Sequence, residues 1–182
     1  WSSDVCSSDL FMKNECFLPP GEDASCPYFW PIGNRYIFLF FSHTTGSQYL
    51  LGDYNKEEHC FYPTFHGRFN FMSFLPGGVH APSATSDGEG GVIVIHNMHT
   101  GKKSPGWRGI TTLPRKLTLD KCDTINIQPY GDYKSLRTHH QHIDKTHLPA
   151  NKEIIIDNIQ GNALEIKAEI NIKSSPMIEM NV

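Results

Sequence analysis

The sequence predicts an all-β protein, and three observations carry that prediction. Short apolar runs recur along the 182 residues, each bounded by Gly, Pro, Asn or Asp. Long stretches with apolar residues three and four apart, the mark of an amphipathic helix, are absent. Near the end, Leu164, Ile166, Ala168, Ile170 and Ile172 alternate with Glu165, Lys167, Glu169 and Asn171. That period of two predicts a half-exposed antiparallel strand of the kind found in a sandwich. Repeated hairpins punctuated by aromatics and glycine further suggest propeller blades.

The elements follow in chain order. In Pro20-Gly21-Glu22-Asp23-Ala24-Ser25-Cys26-Pro27-Tyr28-Phe29-Trp30-Pro31-Ile32-Gly33, a polar loop with two acids leads into aromatics. A loop of this kind can present chemistry on a rigid support. Residues 36–42 are almost continuously apolar, which predicts a strand buried on both faces. The turn Thr44-Thr45-Gly46-Ser47 then predicts a hairpin partner over 48–54, with another strand near 60–65. His80-Ala81-Pro82-Ser83-Ala84 and the turn through Asp87-Gly88-Glu89-Gly90-Gly91 open a second very apolar strand over 91–96. Because a strand follows it, this glycine-rich turn does not read as a phosphate loop. Residues 131–137 predict one or two helical turns, and the polar, His-rich 138–146 a connector. Strands are expected over 152–159 and 163–172. The expected division is therefore 11–130, a connector over 131–150, and a further β unit beginning at 151.

Composition narrows the function classes. The chain is 38% hydrophobic and 12% aromatic, enough for a core, and no apolar run approaches the ~18 residues of a membrane span. The formal charge of −3 becomes −1 once Asp4 and Asp9 are set aside, each removing one negative charge. A near-neutral chain is not expected to take nucleic acid or an anionic membrane as its main partner. Asp4 and Asp9 are set aside because residues 1–10 resemble the in-frame translation of a short-read sequencing adapter and are expected to be non-native. No start Met precedes the fold and the end falls within a strand-like pattern, so an internal piece of a longer protein is expected. Without Cys6, Cys16, Cys26, Cys60 and Cys122 remain, too widely spaced to imply a zinc site or a disulfide framework. Cys26 is expected as a small buried hydrophobe below the acidic loop. His139, His140, His142 and His147 lie in a polar connector, where a built metal site with a second shell is not expected.

Three segments together resemble glycoside hydrolase family 32, the invertase, levanase and inulinase group. Ser25-Cys26-Pro27-Tyr28-Phe29-Trp30-Pro31-Ile32-Gly33 is similar to that family's acid/base loop and its strand. Val79-His80-Ala81-Pro82-Ser83 is similar to its Tyr-Ala-Pro segment. Gly106-Trp107-Arg108-Gly109-Ile110-Thr111-Thr112-Leu113-Pro114-Arg115-Lys116-Leu117-Thr118-Leu119 is similar to the segment that closes its propeller. The resemblance implies a partial five-bladed β-propeller followed by the start of a β-sandwich. It also implies a retaining glycosidase with two carboxylates acting on a disaccharide or oligosaccharide, without metal or organic cofactor. The nucleophilic aspartate and a sugar-binding Arg-Asp-Pro segment would lie upstream of this sequence.

Ser25 stands where that family has its acid/base glutamate, and a serine cannot be a general acid near neutral pH. Asp23 is the candidate replacement and Glu22 a weaker one. Nearby Pro27, Tyr28, Phe29 and Trp30 are expected to lower the local dielectric and raise the acid's pKa. The plain alternative is that both are solvated loop acids. Among candidate sugar contacts, His80 stands where the family has a funnel-facing tyrosine, and Asn97 where many members have a stacking Trp. Trp30 and Trp107 are candidate stacking platforms or core side chains. The leading functional alternative is a carbohydrate-binding propeller that has lost hydrolysis.

Overall fold

The computed structural model describes residues 18, 21–69, 78–99, 105–106, 109–157, 159–161, 163–172 and 177–180. The sequence motifs in 1–10 and at Trp107 lie outside them. The observed architecture is all-β, with two antiparallel sheets of four and five strands. The chain divides into two compact units, Trp1–Gly131 and Asp132–Val182.

In the first unit, β1 (Ser25–Ile32), β2 (Arg35–Ser42), β3 (Gly46–Asn55) and β4 (Cys60–Arg68) form a meander in the order 1-2-3-4. The second sheet runs β5 (Val79–Ser86), β6 (Val92–Met98), β8 (Arg115–Leu119), β9 (Ile125–Pro129), and the two-residue β7 (Ile110–Thr111) pairs with β6.

The apolar run of β2 is explained by cores on both its faces. Ile37 and Leu39 join Ile32, Leu51, Val92, Val94 and Leu117 between the two sheets. Phe38 and Phe40, pointing the other way by strand alternation, pack with Leu50 and Phe61 under Phe29, Tyr36 and Tyr54. Burying each such side chain contributes about 1.5–3 kcal/mol. Two polar links tie the sheets together. Gly33 N–H donates to Gly90 O at 2.7 Å between their hairpin turns. Arg35, on β2, donates to Asp123 in the β8–β9 turn and pairs with Asp53 Oδ1 at 2.8 Å.

The second unit holds a short 3-10 helix over Tyr133–Leu136, whose Asp132 side chain accepts from Ser135 N–H. Arg137 is bonded to Glu165 through Nε at 2.6 Å and lies over the Tyr133 ring. The strands expected over 152–159 and 163–172, and with them the start of a sandwich, do not form among the described residues of this unit. Leu164, Ile166, Ile170 and Ile172 stay about half exposed. Alternation supplies an apolar edge, but a strand exists only when a second backbone accepts its hydrogen bonds.

Candidate functional site

The loop before β1 sends its two acids into separate networks. Glu22 is inward, its side chain only 5% exposed. Its Oε2 accepts from Thr45 Oγ1 at 2.6 Å and Gln48 Nε2 at 3.0 Å, and its Oε1 from Arg68 Nη2 at 3.3 Å. Gln48 is itself buried, and its Oε1 accepts from His66 Nε2 at 2.5 Å. Burial alone raises the Glu22 pKa. Hydrogen bonds from Thr45, Ser42 and Gln48, with the charge of Arg68, outweigh it, and the net shift is downward.

Asp23 faces the β2–β3 turn. Its Oδ1 accepts from the His43 backbone N–H at 2.8 Å. Its Oδ2 accepts from Ser25 Oγ at 2.7 Å and lies 2.6 Å from His43 Nδ1. A carboxylate has only acceptors to offer, so this geometry puts the proton on Nδ1. Burial pushes the Asp23 pKa up, but the bonds from Ser25, His43 and Ser42 prevail and hold it well below the usual carboxylate range.

The expectation of an acid raised by its aromatic neighbours is therefore corrected. Phe29 stacks into the Tyr36, Tyr54 and Phe61 cluster, and Trp30 packs against the core between the sheets. Neither insulates Asp23, which is an ionised acceptor. Glu22 is likewise held as a carboxylate, so neither acid is poised as a proton donor. Trp30, five residues along β1 from Ser25 but opposite a residue only four along β2 because of a bulge, is roughly 13 Å away at strand rise. It is a core side chain and not a stacking platform beside Asp23. Cys26 is exposed, at φ +51°, because β1 bulges between Ser25 and Tyr28 and turns the thiol outward.

The remaining candidates gather at the same end. Ser25 pairs with Phe41, and the Phe41 ring lies 4.8 Å from His43 and 5.5 Å from His80. His80 stacks on His99 at 4.2 Å and pairs across β5 and β6 with Asn97, which is exposed. Burial, His99 and His43 all lower the His80 pKa. Nearby on β6, His96 is 1% exposed, with neither ring nitrogen partnered among the described residues. Burial, then the charges of Arg115 and His80, push it down to about 4. The structure thus brings Asp23, Ser25, His43, His80 and Asn97 to one end of both sheets. Among the described residues no cluster of three or more His, Cys, Asp or Glu could hold a metal.

Sequence reasoning missed His43, Thr45, Gln48, His66, Arg68 and His99 as members of these networks. One signal was present: Gln48 is a polar residue directly before the apolar run Tyr49-Leu50-Leu51.

No family model matches the sequence, and no curated protein matches it. Among solved structures, the chain is similar to that of glycoside hydrolase family 32 from Bifidobacterium adolescentis. The two share 14% identity, with a TM-score of 0.45, over 62% of this chain and 19% of that one. The chain thus spans about a fifth of that protein's length. A likeness of this extent assigns neither family nor activity.

Proposed function

We propose that the chain contributes two adjacent blades of a β-propeller of the glycoside hydrolase family 32 type. The longer protein containing it hydrolyses fructosyl or related glycosidic bonds in a disaccharide or oligosaccharide. The observation that carries this reading is the convergence of the Glu22-Asp23-Ser25 loop, His43, His80 and Asn97 at one end of both sheets. Of these, Ser25 and His80 fall within the segments whose sequence resembles that family, and Glu22 and Asp23 immediately precede the first of them. A first sheet with apolar cores on both faces also suits a blade held between neighbours. In this reading the retaining scheme draws its nucleophilic carboxylate from a blade outside this sequence. Asp23 accepts a sugar hydroxyl, His80 and Asn97 bond others, and no cofactor takes part.

A second reading, a propeller that binds sugar without cleaving it, is favoured by one observation. Ser25, which stands where the resemblance puts the acid/base glutamate, donates to an Asp23 that is held ionised. Assaying the longer protein on sucrose, inulin and levan separates the two. Release of fructose from any of them is expected. Sugar binding without release from all three would overturn hydrolysis in favour of binding.

A further inference from the structure

Resting on that reading, we propose that His43 is the proton donor to the leaving group and that Asp23 is the residue that positions it. Breaking a glycosidic bond needs a proton on the departing oxygen. Ser25 cannot supply it, Glu22 has both oxygens occupied in a buried network, and Asp23 is an acceptor three times over.

Among the described residues near this end, His66 is bonded to Gln48 and His96 is buried, which leaves His43, His80 and His99. His80 is stacked on His99, with the Phe41 ring tilted against it and its Nδ1 buried. His99 forms the other face of that stack. His43, in contrast, stands on the β2–β3 turn with its side chain 63% exposed.

Asp23 grips His43 at two points, the backbone N–H through Oδ1 and the ring through Oδ2. The two contacts fix the ring's orientation, and Ser25 fixes Oδ2 in turn. With Nδ1–H on the carboxylate, the proton to be donated is on Nε2, the nitrogen facing away from Asp23. A carboxylate in this position sets the ring's tautomer and orientation.

His43 Nε2–H passes its proton to the glycosidic oxygen. The bond from that oxygen to the anomeric carbon breaks, with its electron pair going to the oxygen. A carboxylate from another blade forms the new bond to the carbon. The neutral imidazole then takes a proton from the water that hydrolyses the glycosyl ester.

The test compares leaving groups in the longer protein. Sucrose needs a protonated leaving oxygen, whereas an aryl fructoside with a nitrophenolate leaving group does not. His43→Asn should lower kcat/KM on sucrose by about a hundredfold or more and on the aryl fructoside by less than about tenfold. Asp23→Asn should show the same substrate split and shift the pH profile on sucrose. His43→Gln, checked for an unchanged melting temperature, separates chemistry from misfolding. Equal losses on both substrates, or no loss on sucrose, would overturn the proposal while leaving the hydrolase reading intact. A wild-type protein inactive on both substrates would overturn that reading, and this inference with it.

Discussion

Ser25 and His80 hold the same place in their two sheets. Ser25 pairs with Phe41 and the next pair is Tyr28 with Leu39, while His80 pairs with Asn97 and the next pair is Ser83 with Ile95. Each first strand thus spends three residues against its partner's two, which is a bulge of one residue. In each, the residue after the shared position has positive φ, +51° at Cys26 and +45° at Ala81, and a proline follows. A repeat too faint to establish from residue identities is plain in the backbone, and it aims Ser25 and His80 at the same end.

That shared bulge is testable at Ala81. A left-handed conformation costs a residue with a Cβ about 1–2 kcal/mol, more when the side chain is β-branched. Ala81→Val should therefore destabilise the chain by about 2 kcal/mol in urea unfolding. Ala81→Gly should stay within about 1 kcal/mol, because relief of strain offsets the extra freedom of the unfolded glycine. Equal effects of the two substitutions would contradict the bulge.

The Glu22 network predicts a structural cost without a chemical one. Glu22→Ala leaves Arg68, Thr45 and Gln48 without their shared acceptor in a largely buried site. A loss of about 2 kcal/mol is expected, less than for a fully buried pair because Arg68 retains some solvent. Guanidinium unfolding of the wild type and variant, with the slope compared, measures it.

Gly52 sits at the bulge where β3 meets β4. A Cβ there would lie 2.2 Å from Tyr62 O, a backbone atom that cannot swing aside. Gly52→Ala should cost about 3 kcal/mol or abolish folding. Circular dichroism melting distinguishes that outcome from a tolerated substitution.

His96 predicts acid sensitivity of defined sign. Its folded pKa of about 4 lies below the ordinary histidine value, so the unfolded chain binds its proton first as pH falls. The stabilisation is complete above about pH 6.5 and is lost progressively down to about pH 4, on the order of 3 kcal/mol in all. His66 and His80 shift in the same direction and add to the slope. Replacing His96 with Gln should flatten stability against pH across that window, whereas an unchanged slope would assign the sensitivity elsewhere.

The strands that were legible in sequence are those whose apolar runs are bounded by strong turn residues. β2, β3 and β6 fall where the pattern puts them. β9 was not anticipated, since Ile125-Asn126-Ile127-Gln128-Pro129 is short and has apolar residues at only two positions before its proline. Residues 163–172 show the reverse failure, a clear pattern with no partner strand among the described residues to realise it. At the site, the acidic loop was legible because its members are neighbours in sequence. His43 and Arg68 were not, because antiparallel pairing brings them to Asp23 and Glu22 across 20 and 46 residues. The sign of the Asp23 shift was also hidden. Three donors outweigh desolvation, and donors from a distant turn leave no local trace.

The central claim, that this end of the two sheets is a carbohydrate site, is tested most directly by titrating the ¹⁵N-labelled chain with fructose and sucrose. The spectra should be followed to concentrations on the order of 100 mM, enough to detect weak binding. Saturable shifts are expected in the amides of Ser25, Cys26, His43, His80 and Asn97, with Trp30 unmoved. Shifts absent for both sugars, or confined to residues away from that end, would contradict it.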